Sequence, residues 1–175
     1  MNYIEIAKAT NNSKFTTLAD GNIRVDNAIV FWKNFSGKPT DFNPNGGKRT
    51  FELALSREFA EYLRQQHWNV KTKELDDGDV LYHTEIVVND QSAYPPRLYK
   101  ISEFMGKQTM ALMKPEQYSK LDQDNLAMVD MDIHPYVHNR GFNGATTGYL
   151  KNMWATLESV NDFGGKYAAY ELVEG

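Results

Sequence analysis

Aromatic and cationic residues alternate through one stretch of the chain, from Phe31 to Phe51. Trp32, Phe35, Phe42 and Phe51 stand there among Lys33, Lys38, Lys48 and Arg49. Flat apolar rings offer stacking faces to nucleobases, and lysine and arginine neutralise phosphate, so the mixture suits single-stranded nucleic acid. Each stacked base is worth about 1–3 kcal/mol, so two or three such rings suffice without any sequence preference. A shorter mixture of the same kind runs from Pro135 to Phe142, where Tyr136 and Arg140 are the candidates. A solvated loop of no special function has a similar composition, so the elements around these residues must decide.

The competing chemistry lies in Asp130, Asp132 and His134. Residues two apart share one face of a strand, so both carboxylates and the imidazole line up. With Glu85 from another strand they form a candidate divalent-cation site for a metal-dependent nuclease. The same residues would equally suit the wet face of a strand. His67, His83 and His138 are scattered and make no paired-histidine motif. Gly46-Gly47-Lys48 superficially suggests a phosphate loop, but a strand follows it where a helix is required. No activated nucleophile stands out, and the reading is non-catalytic, with no cofactor and no metal.

The 175 residues carry a net charge of −4 and no cysteine, which excludes a disulfide framework and thiolate zinc. The length fits one domain. Charge is unevenly spread. Between Arg24 and Lys73 there are nine basic and five acidic residues, whereas Glu74 to Asp90 holds six acids and neither Lys nor Arg. An acidic protein can thus present a local cationic face to a polyanion. No apolar run is long enough to cross a bilayer and no secretory pattern opens the chain, so a cytoplasmic protein without membrane contact is expected.

The elements that must position the candidates read mostly as strands. Residues 1–22 form a loosely ordered arm with a short strand at Tyr3 to Ile6. A long strand starts at Ile23 and bends near Asp26-Asn27, and Thr50 to Leu55 makes a second. Between them the Gly- and Pro-rich connection carries the aromatic and basic residues. Ser56 is a helix N-cap for a helix through Gln66. Leu81 to Asn89 and Arg97 to Phe104 look like a hairpin linked across Pro95-Pro96. A helical turn begins at Pro115, and two last strands, Asn125 to Val137 and Thr147 to Glu158, flank a Gly- and Asn-rich turn. Trp68 and Trp154 are expected in the core, while Trp32 is undecided between core and groove. Six or seven strands with one or two short helices define a mainly β protein. The simplest architecture is an OB-fold-like β-barrel elaborated with extra hairpins, over residues 23–160, with residues 161–175 as an acidic tail; a β-sandwich also fits the pattern.

Several marks in order resemble a family of bacteriophage single-stranded DNA-binding proteins of OB type. They are Asn34-Phe35-Ser36-Gly37, Phe42-Asn43-Pro44, Gly47 to Phe51, Trp68 to Lys71, Pro95-Pro96, Val129 to Tyr136, Gly148 to Met153 and Lys166-Tyr167. The resemblance implies coating of single-stranded DNA in phage replication or recombination, inside the host cytoplasm. It further implies bases stacked on Trp32, Phe35, Phe42 or Tyr136, and phosphates held by Lys33, Lys38, Lys48, Arg49 and Arg140. Duplex DNA, and phage replication proteins recruited by the C-terminal tail, are further candidate partners. One departure is His138, where the resemblance leads one to expect an aromatic ring.

Overall fold

Alternating apolar residues build the sheet. In β4 (Arg49–Leu55) Phe51, Leu53 and Leu55 enter the core, and in β9 (Leu126–Val137) Val129, Met131 and Ile133 do the same. Side chains two apart share a strand face, so one face of each strand supplies that core. The computed structural model describes residues 2–138 and 144–158. Among the described residues the chain is mainly β, with ten strands joined in one mixed sheet. The others are β1 (Lys14–Thr17), β2 (Ile23–Asp26), β3 (Val30–Asn34), β5 (Lys71–Glu74), β6 (Val80–Val88), β7 (Arg97–Phe104), β8 (Lys107–Leu112) and β10 (Thr146–Leu157).

The ladder order is β1-β2-β9-β10-β6-β4-β3, and β5 also pairs with β6. Strands β2 and β3 are two halves of one path, bent at Asn27, whose φ is 54°. The bend is held by the Asn27 N–H donating to the Asp130 carboxylate at 2.9 Å, and by the Ala28 N–H donating to the Val129 carbonyl at 2.7 Å. The first half pairs with β9 and the second with β4. Strand β10 pairs antiparallel with β9 along its length. Along its other edge β6 and β7 lie end to end, both parallel to it.

That last arrangement corrects the expected hairpin between the Leu81 and Arg97 strands. The two strands share a neighbour and do not pair with each other. Instead β7 forms its hairpin with β8 through Met105-Gly106, with φ of 52° and 78°. Positive φ at both central residues gives a two-residue turn whose twist matches that of the strands.

The expected strand at Tyr3 to Ile6 is also corrected. These residues start helix α1 (Tyr3–Ala9), because the Asn2 side chain accepts the N–H groups of Ile4 and Glu5 at 3.1 and 3.2 Å. An N-cap of this kind satisfies donors the first turn leaves free. Nor is the arm loose, since β1 pairs with β2 from Lys14↔Asp26 to Thr17↔Ile23. Helix α1 lays Tyr3, Ile6 and Ala7 against Phe31, Ala54 and Leu81, a second small apolar cluster on the outer face of β3, β4 and β6.

Helix α2 (Arg57–Gln65) starts at Ser56, whose Oγ accepts the Phe59 N–H at 3.2 Å, and buries Ala60 and Leu63. A 3-10 helix at Pro115–Asp122 inserts Tyr118 and Leu121 into the main core. Trp68 is core, as expected, and its ring lies across Gly148, where an added Cβ would come within 2.5 Å of it. Trp154 is not core. It sits on the outer face of β10, stacked on Tyr99 with ring centroids 6.0 Å apart. No helix among the described residues is long and apolar enough to cross a membrane.

Candidate nucleic-acid interface

The connection between β3 and β4 is an organised loop. Its neck closes where the Gly47 N–H donates to the Gly37 carbonyl at 2.7 Å. Both glycines have positive φ, 70° and 89°, a region that disfavours side chains. Asn34 braces the near side, its Oδ1 accepting the Lys38 N–H at 2.9 Å and its Nδ2 donating to the Lys38 carbonyl at 3.1 Å. The Asp122 carboxylate accepts the N–H groups of Phe35 and Ser36 at 2.7 and 3.0 Å. Beyond the neck the tip is turned by Thr40 and Asn43, and Phe42 stands wholly exposed there. An unsupported phenylalanine on a braced loop is a ready stacking face.

The structure distributes the predicted cations unequally. Lys38 is exposed on the loop. Lys48 is exposed and pairs with Glu85 at 3.0 Å. Lys33 is half-buried, with its Nζ donating to the Asp124 carbonyl at 3.0 Å. Burial lowers its pKa, against the nearby carboxylates of Asp122 and Asp124. Arg49 is a clamp. Its guanidinium donates to the Phe35 carbonyl, pairs with Asp90 at 3.3 Å and lies over the Tyr118 ring, 5.3 Å from the centroid. It thereby ties the β3–β4 loop to the segment that follows β6. Arg140 lies outside the described residues.

Two of the predicted stackers sit differently from each other. Phe35 is core, fully buried and stacked on Phe51 at 5.3 Å, so its ring has no face to offer a base. Trp32 is on the outer face and 48% exposed. A one-residue bulge between Phe31 and Asn34 puts it there, with φ of 46°. Its Nε1 donates to the Tyr3 hydroxyl at 3.2 Å, and its ring meets Tyr3 and His83 edge-on at 6.0 and 5.6 Å. The outer face beside it is not purely cationic. Glu52 is buried between His83 Nδ1, at 2.6 Å, and Lys71 Nζ, at 3.5 Å.

The carboxylates of β9 are engaged elsewhere. Both Asp132 oxygens accept from Arg24, at 2.8 and 3.1 Å, and one also accepts from Asn152 at 3.2 Å. Burial would raise the Asp132 pKa, but those hydrogen bonds and the Arg24 charge hold it below the ordinary value. Asp130 accepts from Asn27, and His134 Nδ1 meets Asn22 Oδ1 at 3.0 Å. Glu85 is remote. Gly148 pairs with Ile86 and Asn152 with Asp132, which separates Glu85 from Asp132 by about 15 Å along β10 at the usual strand rise. Among the described residues no three His, Asp or Glu side chains gather to hold a metal.

Tyr136 sits at the end of β9, 51% exposed, with Tyr149 of β10 edge-on at 6.2 Å. The unexpected His138 packs edge-on against Tyr136 at 4.9 Å and hydrogen-bonds Thr147 at 2.8 Å. Tyr136 and Tyr149 line a cleft of about 680 Å3 that also takes in Tyr94, His134 and Lys151. Sequence reasoning did not single out Tyr94, Tyr149 or Lys151. The available signal was the alternation of Tyr149 and Lys151 in the last strand, where Tyr149 lies opposite His134 and diagonal to Tyr136.

A single-stranded DNA-binding protein from bacteriophage Enc34, C-terminally truncated, superposes with a TM-score of 0.50 at 10% identity, covering 83% of this chain and 90% of that one. The same protein in complex with ssDNA gives a TM-score of 0.50 at 10% identity, with 83% and 91% covered. At such identity the likeness is one of fold. No curated protein sequence matches the chain. The family model described as "Putative phage ssDNA-binding domain" matches residues 12–174, and the chain belongs to that family.

Proposed function

We propose that this protein binds single-stranded DNA without catalysis and with tolerance of sequence, protecting or organising the strand during phage replication or recombination in the host cytoplasm. The observation that carries the reading is membership of the phage ssDNA-binding family over residues 12–174. The fold likeness to a phage single-stranded DNA-binding protein, whose structure is known with ssDNA, supports it.

The architecture that fits is an OB-type barrel made of β2/β3, β4, β6, β9 and β10. Its support is the run β2-β9-β10-β6-β4-β3 within the ladder, whose outer members β2 and β3 are consecutive in the chain, as closure of a barrel would require. An OB barrel takes oligonucleotides on its second and third strands and on two of its loops. In that register the β3–β4 loop, bearing Lys38, Phe42 and Lys48, and the β9–β10 turn, beside Tyr136, are the two ligand loops. Phe42 and Tyr136 offer bases a face, and Lys38 and Lys48 meet phosphates. Trp32 joins them if Tyr3 yields its place, whereas Lys33 and Arg49 shape the loop. The binding domain spans residues 23–160, with the acidic tail at 161–175 outside the described residues.

A gel-shift assay with labelled oligo-dT at low ionic strength, with and without Mg2+, tests the reading. A retarded, intact oligonucleotide is expected under both conditions. An unretarded oligonucleotide, or one degraded in Mg2+ and spared by EDTA, would overturn it.

A further inference from the structure

A cleft lies between the β9–β10 face and the segment linking β6 to β7. Tyr94 projects from that link 92% exposed, and among the described residues no aromatic ring packs on it. Opposite stand Tyr149 and Tyr136, perpendicular to each other, and Tyr136 is half exposed even with His138 packed edge-on against it. Large apolar side chains left in water mark contact surfaces when they cluster. The volume, about 680 Å3, is within the range of ligand clefts and accommodates more than one flat heterocycle.

Charge decides what the ligand is. No carboxylate lines the cleft among the described residues, while the cationic Lys151 does. The outer face of β4 and β6 differs, because Glu52 and Glu85 occupy Lys71 and Lys48 there. Arg49 ties the base of the β3–β4 loop to Asp90, at the start of the segment that carries Tyr94.

We propose that this cleft is a nucleobase subsite for single-stranded DNA, in which Tyr94 and Tyr136 stack successive bases and Lys151 meets the phosphate between them. The inference rests on the single-stranded DNA reading above. With Phe42, Lys38 and Lys48 of the β3–β4 loop, the cleft would offer one strand both stacking faces and cations. That is how a protein holds a single strand without reading its sequence.

Two probes test it, oligo-dT and an oligonucleotide of equal length whose sugars carry no bases, each titrated by fluorescence anisotropy. The wild type is expected to prefer oligo-dT. Tyr94→Ala should weaken oligo-dT binding by about fivefold to a hundredfold while leaving the abasic strand unaffected. Tyr94→Phe should bind as the wild type does. Lys151→Ala should weaken both strands and flatten the slope of log K against log salt by about 0.7. Because Tyr94 is solvated, its replacement does not threaten folding. Wild-type binding to oligo-dT that Tyr94→Ala leaves unchanged would overturn the subsite and spare the function. A wild type that binds neither strand would overturn the function itself, and the subsite with it.

Discussion

Replacing Asp132 with asparagine separates a structural clamp from a metal ligand. In the wild type Asp132 takes two hydrogen bonds from Arg24 and one from Asn152, and its side chain is 7% exposed. A hydrogen bond to a charged group contributes about 1.5–3 kcal/mol. Arg24 is 46% exposed, so water screens its share. Asparagine keeps the shape and loses the charge, and the net cost should be about 1–2 kcal/mol after that discount. In a domain of this size it lowers Tm by about 2–8 °C. The pH dependence follows from the depressed Asp132 pKa. A carboxylate stabilised in the folded state contributes fully above its unfolded pKa, about 3.9, and loses the contribution as pH falls through the lower folded value. Urea unfolding should therefore show a wild-type advantage at pH 7 that narrows below about pH 4. Adding Mg2+ should move neither Tm. Equal stability of the two proteins at pH 7 would refute the clamp. A wild-type Tm that rises with Mg2+, in a manner Asp132→Asn abolishes, would restore the metal site.

Other consequences concern packing and the loop. Gly148→Ala places a methyl group against the Trp68 ring, and chemical denaturation should show a loss of about 1–3 kcal/mol from overpacking. Phe35→Ala should cost about 3–5 kcal/mol. By contrast, Phe42→Ala should leave stability within about 0.5 kcal/mol yet weaken oligo-dT binding at least fivefold, a contrast read by paired unfolding and anisotropy curves. Tyr3→Ala removes the hydroxyl that accepts the Trp32 indole N–H, and tryptophan emission should shift to the red as that ring becomes more solvated. An unchanged spectrum would mean α1 does not cover Trp32 in solution.

Much of the sheet was legible because its causes are local. Phe51, Leu53 and Leu55 alternate, Ser56 offers a cap, and Asp26-Asn27 breaks a long apolar run, so β4, α2 and the β2/β3 bend follow from neighbours in sequence. The misplaced elements depend on partners far along the chain. Arg97 to Phe104 reads as a strand, but that its neighbour is β10 depends on a register set by Asn152 to Thr156. The Met105-Gly106 turn lacks the usual Asn or Asp signal, so β8 passed unseen. At the proposed site, composition pointed to the β3–β4 loop and Tyr136 but could not rank the residues within them. Whether a loop phenylalanine is bait or core depends on its contacts, and Phe35 is held inward by Asp122 and Phe51 while Phe42 is not. That Arg49 is paired was not legible, because its acceptor, Asp90, is distant in sequence.

The central claim is that stacking and phosphate neutralisation together hold single-stranded DNA. The most direct measurement is the oligo-dT affinity of the full chain over a range of salt concentrations, with tryptophan fluorescence or anisotropy as the signal. Counterion release predicts tight binding at low salt and a linear fall of log K with log salt, at about 0.7 per phosphate neutralised. Stacking predicts that a residue of affinity survives when the line is extrapolated to high salt. Absence of binding at the lowest salt, or an affinity indifferent to salt, would contradict the account.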